Sequence, residues 1–210
     1  MLFPKILFFF VAKANLIFFD MDFLIEVAQP EHHNYAFAIS QAYANSAKER
    51  GIGIAVRKAA YILEKIKSGK AIIATKDNEL AGFCYIETWS HASFVANSGL
   101  IVLPKFRGKG LAKQIKHSVF ELSRSLYPNS KIFGITTNPH VMRMNAELGY
   151  IPVAYEALTQ DEAFWKGCQS CPNFEILQKN KNSMCMCTAM LFDKNYLNTI
   201  TEKKLNHVNK

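Results

Sequence analysis

The chain has 210 residues, enough for one domain with a real core, or one domain plus an appendage. Half of its residues are hydrophobic and a fifth are charged, which excludes a disordered or fibrous class. A formal charge of +8 favours an anionic partner (nucleic acid, a membrane surface or a phosphorylated small molecule), although the end "TEKKLNHVNK" supplies part of that excess.

Residues 1–20 open with "MLFPKILFFFVAKANLIFF", apolar but broken by Lys5, Lys13 and Asn15. A membrane span needs roughly 20 uninterrupted apolar residues, so stable membrane insertion is not expected. Met21 opens the cleaner segment "MDFLIEVAQPEHH", and residues 1–20 read as an extension outside the fold. A secretory signal is the second reading and a membrane anchor the third.

"FLIEVA" (residues 23–28) reads as a first strand ended by Pro30. Glu31 to Arg50 suits a helix, and after a glycine break Val56, Ala60, Leu63 and Ile66 trace a second helix ended by Gly69. "KAIIATKDNELAGFCYIETW" is two strand-like runs around "KDNE", the pattern of a hairpin. "ASFVANSGLIVL" is the next strand. After the loop "PKFRGKG", Leu111, Ile115, Val119, Leu122 and Leu126 trace a helix face that Pro128 stops. "KIFGITTN" (131–138) is a buried strand, "PHVMRMNAELGY" a short helix closed by Gly149, and "IPVAYEAL" a further strand. The alternation gives a mixed α/β domain over 21–158, a Cys-rich extension over 159–193 packed on it, and a polar tail over 194–210 expected to be mobile.

Within "RGKGLA", Arg107, Gly110 and Ala112 fit R-x-x-G-x-A. Glycines let successive backbone N–H groups turn inward, and the following helix aims its positive dipole end at the same spot. Such a nest suits a diphosphate, while a tight basic turn is the structural alternative. No hydroxyl follows a Gly-Lys at the spacing of the ATP-binding loop, and G-x-G-x-x-G is absent.

Taken together, the strand, the proline, "FRGKGLA", the amphipathic helix, the strand ending at Asn138 and the short helix closing on "ELGY" resemble the GNAT superfamily of acyl-CoA-dependent N-acyltransferases. The likeness runs roughly from Phe23 to Tyr155 and is sharpest from Gly99 to Tyr150. It implies an α/β fold with a mixed, mostly antiparallel splayed sheet flanked by helices, and acetyl-CoA or another acyl-CoA in the V-shaped opening. It also implies roles. The backbone of Arg107, Gly108, Lys109, Gly110, Leu111 and Ala112 would hold the diphosphate, with Lys113 towards the 3′-phosphate. Leu100, Ile101 and Val102 would pair with the pantetheine arm, and the Val102 N–H would polarise the thioester carbonyl. Asn138 would hold the other side of the arm. Where many members carry a tyrosine that protonates the leaving thiolate, this sequence has Asn145, and an amide cannot be that acid.

Transfer to an amine requires the amine to be neutral, so a base or a water chain must collect a proton. Glu87 is the nearest acidic candidate, with a surface strand position as its alternative; His91 and His140 are further candidates. Arg50 and Arg57 flank a glycine-rich bend and could clamp carboxylates by forked hydrogen bonds, or simply end a solvated helix. "ERGIGIAVRK", "LGYIPVAYEALTQDEAFWKGCQSC" and "MCTAMLFD" resemble a branch of GNAT proteins tied to bacterial arginine synthesis, which N-acylate glutamate from acetyl-CoA or succinyl-CoA. That resemblance implies a cytoplasmic enzyme with a small-molecule amine partner.

Cys168, Cys171, Cys185 and Cys187 form C-x2-C-x13-C-x-C, a set suited to structural zinc; free thiols and redox pairing are the alternatives. Cys84 reads as a core residue. Two other functions stay open: a GNAT enzyme acting on a protein or another small amine, and a zinc-stabilised nucleic-acid module. No basic stripe interleaved with aromatic residues supports a nucleic-acid partner. A homodimer is left open.

Overall fold

The computed structural model describes residues 18–20, 23–50 and 57–196. The expected glycine-rich bend at 51–56, most of the apolar extension and the tail beyond 196 lie outside the described residues.

Among the described residues, eight strands form one sheet in the order β1-β2-β3-β4-β5-β6-β8-β7. They are β1 (Phe18–Asp20), β2 (Phe23–Val27), β3 (Ala71–Lys76), β4 (Glu79–Trp89), β5 (Phe94–Val102), β6 (Lys131–Thr136), β7 (Ile151–Pro152) and β8 (Thr188–Phe192). The hairpin predicted around "KDNE" joins β3 to β4. Its two turn residues, Asp77 and Asn78, both have positive φ, the geometry that matches the twist of the flanking strands. Two helices pack on one face, α1 (Ala36–Arg50) and α2 (Ala59–Lys67). On the other lie α3 (Leu111–Leu126) and α4 (Pro139–Glu147). The predicted first helix starts late: Pro30–Tyr35 is a 3-10 turn, and α1 follows it.

Strand alternation divides the core. Ile72, Ala74, Cys84, Ile86, Val95 and Ile132 face Leu111, Ile115, Val119 and Leu122 of α3. Their neighbours Ala71, Ile73, Phe83 and Tyr85 face Ile39 and Tyr43 of α1 and Ile62 and Ile66 of α2. A fully buried side chain such as Ile115 contributes about 2–3 kcal/mol. Leu126, expected on the inward face, closes the last turn of α3 and is 45% exposed.

One interruption positions everything that follows. All neighbouring strands are antiparallel except β5 and β6, which are parallel and pair only through Phe94↔Lys131, Val95↔Ile132 and Ala96↔Phe133. Beyond Ala96 the two strands part, leaving a wedge in the middle of the sheet. On its other edge β5 bulges against β4, where Cys84 alone stands against Gly99 and Leu100.

The chain after Leu158 departs from expectation in one respect. Its last strand, β8, lies inside the sheet between β6 and β7. The predicted strand "IPVAYEAL" shrinks to Ile151–Pro152, since proline offers no N–H to a ladder, and a 3-10 turn follows at Tyr155–Ala157. Two short helices follow, α5 (Glu162–Lys166) and α6 (Phe174–Lys179); their Trp165 and Leu177, with Tyr155 of the 3-10 turn and Leu158 just after it, cover Ala96, Phe133, Ala189 and Leu191.

Candidate active site

The basic loop sits where β5 runs out. Pro104–Phe106 makes one 3-10 turn whose Phe106 is buried, and Arg107 is extended. Gly108 and Gly110 both take left-handed backbone, φ 79° and 77°, and nothing stands within 4 Å of where a Cβ would be at either. Gly110 caps α3, and Leu111 anchors the first turn in the core. The N–H groups at such a helix start have no intrahelical acceptor and point outward with the positive end of the dipole. Arg107 donates Nε–H to the Val102 carbonyl at 3.1 Å, and Lys113 pairs with Glu147 at 2.7 Å. The loop therefore presents uncrowded backbone at the positive end of α3.

A cavity of about 1000 Å³ opens at the wedge, with Ala96 to Leu100 of β5 on one wall and Phe133 to Thr136 of β6 on another. The other predicted arm residues lie further along β5: Ile101 is buried in the core under α1 and α2, and Val102 stands opposite Gly82. Asn138 is on the rim. Its side chain accepts the His140 N–H at 2.8 Å and so caps α4, while its own N–H donates to Thr136 Oγ1 at 3.0 Å. His140 also borders the cavity, whereas His91 is exposed in a left-handed turn and is not among the lining residues.

The chain just before α2, α2 itself and β4 supply a polar end. Arg57 donates Nε–H to the Tyr85 phenol at 2.8 Å, with its guanidinium carbon 5.7 Å from the centre of the Tyr61 ring. The Tyr61 hydroxyl donates to the Glu87 carboxylate. Burial first, and the Glu87 charge next, raise the Tyr61 phenol well above its ordinary value, so it remains a proton donor to Glu87. Burial opposes the Arg57 charge, but the Tyr85 contact and the nearby Glu87 outweigh it and hold the guanidinium charged. Arg57 and Glu87, separated in sequence, thus share one cavity end; the Arg50 side chain lies outside the described residues.

Where the two strands part, Asn145 is 1% exposed. Its Nδ2 lies 3.6 Å from Met190 Sδ, and its Oδ1 has no hydrogen-bond partner among the described residues. Gly134 of β6 lies between it and β5: a Cβ there would stand 3.8 Å from the Asn145 amide nitrogen and 3.7 Å from the Asn97 carbonyl oxygen.

The four clustered cysteines line the far side of the cavity, but the zinc site expected of them needs correction. Among the described residues, no group of three or more His, Cys, Asp or Glu is placed to hold a metal ion. Cys168 lies in the 3-10 turn Gly167–Ser170 and Cys171 caps it, while the Cys185 thiol is directed at the Asn173 carbonyl, 3.8 Å away. Burial, then the neighbouring thiols, push Cys168 up to about 11 and Cys187 to about 12, so both are neutral thiols. Tyr43, Tyr85, Trp89, Phe164 and Trp165 complete the wall and were not picked out from the sequence, where buried aromatic residues read as core. No described helix is long and apolar enough to cross a membrane.

Residues 41–150 match a known family, described as the acetyltransferase (GNAT) family. No curated protein matches the chain. Among solved structures, the N-acetylglutamate synthase of Neisseria gonorrhoeae, complexed with coenzyme A and N-acetyl-glutamate, is similar over 83% of this chain, with a TM-score of 0.58 and 17% identity. This chain spans only 35% of that protein. Rv2747 of Mycobacterium tuberculosis, in complex with CoA, gives a TM-score of 0.56 at 17% identity over 80% of this chain and 98% of its own. Salmonella typhimurium yncA, with acetyl-CoA, gives 0.55 at 13% identity over 82% of this chain and 94% of its own. At these identities the likeness is one of fold.

Proposed function

The chain belongs to the acetyltransferase (GNAT) family, and from that premise we propose that it moves an acetyl or succinyl group from acyl-CoA to the α-amino group of glutamate. The loop at 107–112 would grip the diphosphate, and the pantetheine arm would lie along Leu100 to Val102, with Asn138 on its other side. The thioester would then sit at the wedge, where the acceptor reaches it from the polar end of the cavity. The observation that carries the acceptor assignment is Arg57, charged, oriented by Tyr85 and facing the same cavity as Glu87. A guanidinium so held matches a carboxylate. Glu87 is suited to collect the proton that the attacking amine sheds, directly or through a water. Support for glutamate comes also from the Neisseria enzyme, whose structure was solved with N-acetyl-glutamate.

The test is thiol release from acetyl-CoA and succinyl-CoA across the amino acids. Glutamate is expected to give the highest kcat/KM; a preference for an amine without a carboxylate would overturn the assignment. In the same assay Arg57→Ala should raise the KM for glutamate by about 10- to 100-fold, the value of charged hydrogen bonds lost. The KM for acyl-CoA should move less than about threefold. Equal effects on both substrates would sink the clamp.

A further inference from the structure

A buried cation stands behind the wall of the wedge. Lys116 lies on the inward side of α3 and is only 3% exposed. Its Nζ donates to Asn97 Oδ1 at 3.3 Å and lies 5.0 Å from the centre of the Tyr150 ring. Asn97 is fixed from two more directions: Oδ1 accepts the Tyr150 hydroxyl at 2.8 Å, and Nδ2 donates to Ser123 Oγ at 2.7 Å. Asn97 is the first residue of β5 past the last pair with β6, and its carbonyl and the Asn145 amide both lie beside Gly134. One side chain separates the ammonium from the point where the strands part.

Among the described residues the charge has no counter-ion there. From β4 the facing titratable group is the Cys84 thiol, and from the segment after α4 it is the Tyr150 phenol; burial raises both. On the outer side Lys116 shares a small pocket with Lys113, His117 and Glu147, and Glu147 is already paired with Lys113. An unpaired ammonium in a core costs stability, which calls for a use.

Aminolysis of a thioester supplies one. As the amine nitrogen bonds to the acyl carbon, the C–S bond breaks and its electron pair leaves on sulfur. The amine's proton goes to Glu87 or water, and the thiolate is protonated later by solvent. Asn145, buried beside this point, has no acidic proton to give, so the negative sulfur must be stabilised by fixed charge and dipoles instead. We infer that Lys116 is a positioning residue for the transfer: it holds Asn97 at the wedge, and the field of its ammonium, acting across that side chain, stabilises the thiolate as it departs between β5 and β6. This rests on the acyltransferase reading above.

The consequence has a pH sign. Burial pulls Lys116 down to about 8, only partly offset by Cys84, so the charge is present below that pH and lost above it. The wild-type kcat should therefore fall on the alkaline side of about 8. Lys116→Met in the full chain keeps the volume and removes the charge. It should lower kcat by about 10- to 100-fold with acyl-CoA, the size of a charge–charge contact across one side chain at an intermediate dielectric. The KM for acyl-CoA should hold within about threefold, and the alkaline fall should vanish. A thioester of an aryl thiol, which leaves without help, should lose little. Folding is not the obstacle: wild-type stability rises with pH as the folded Lys116 and then the unfolded lysine lose their protons, so the variant should melt higher at pH 7. Equal losses with both thioesters, an alkaline limb retained in Lys116→Met, or an unchanged kcat would overturn the inference and leave the transferase reading intact. No thiol release by the wild type from any acyl-CoA would end both.

Discussion

Gly110→Glu is expected to weaken acyl-CoA binding by at least about 100-fold while leaving the fold in place. Gly110 begins α3 at φ 77°, and a Cβ there would touch nothing within 4 Å. The cost to the protein is therefore the left-handed backbone alone, about 1–2 kcal/mol for an L-residue, a modest drop in Tm. The cost to a bound diphosphate is larger. The carboxylate would stand at the positive end of the helix, among N–H groups that would otherwise turn to phosphate oxygens, and would repel them at close range. Gly110→Asn separates the two effects, because asparagine tolerates left-handed backbone and carries no charge; it should stay within about tenfold of wild type. Calorimetry with CoA on the three proteins decides. Unchanged affinity in Gly110→Glu would remove the diphosphate from this loop and the cofactor geometry with it.

That loop was legible in the sequence because its signals are local. Two glycines one residue apart, an arginine before them and an apolar helix after them describe a turn into a helix wherever they occur, as "KDNE" describes the hairpin between β3 and β4. What was not legible depended on distant partners. "TAMLF" could not announce that it lies between Lys131–Thr136 and Ile151–Pro152, since a strand's place in a sheet is set by pairing across many residues. The cysteine spacing signalled a cluster, which the cavity wall bears out, but chelation needs converging thiols, and spacing says nothing of where each one points. Lys116 was hidden by its type: lysine reads as surface. The clue was positional, for Lys116 and Ser123 fall along the inner side of the helix carrying Ile115 and Val119. Arg57 was named in the sequence as one of a pair, yet its partners Tyr85, Tyr61 and Glu87 come from α2 and β4. Only the fold could place them at one end of the cavity.

Gly99→Ala should be the most damaging small change at this site. At Gly99 the backbone is left-handed, φ 66°, and a Cβ would lie 2.3 Å from Tyr85 Cε1 and 2.5 Å from the Tyr43 hydroxyl oxygen. Both rings are buried and held, Tyr43 by donating to the Gly99 carbonyl and Tyr85 by accepting from Arg57, so neither can yield without straining a hydrogen bond. Backbone strain of about 1–2 kcal/mol adds to overpacking of about 1–3 kcal/mol. At roughly 2–4 °C per kcal/mol for a domain of this size, the melting temperature should fall by about 10 °C. Gly69→Ala is the matched control: φ there is 64°, nothing lies within 4 Å of its Cβ, and only the strain should register. If the strand relaxes by pushing Tyr85 aside, Arg57 loses its orienting phenol, and the KM for a carboxylate-bearing acceptor should rise in the folded fraction. A Gly99→Ala protein that melts with Gly69→Ala and keeps its acceptor KM would mean that the bulge on β5 does not press on these tyrosines and that Arg57 is oriented by something else.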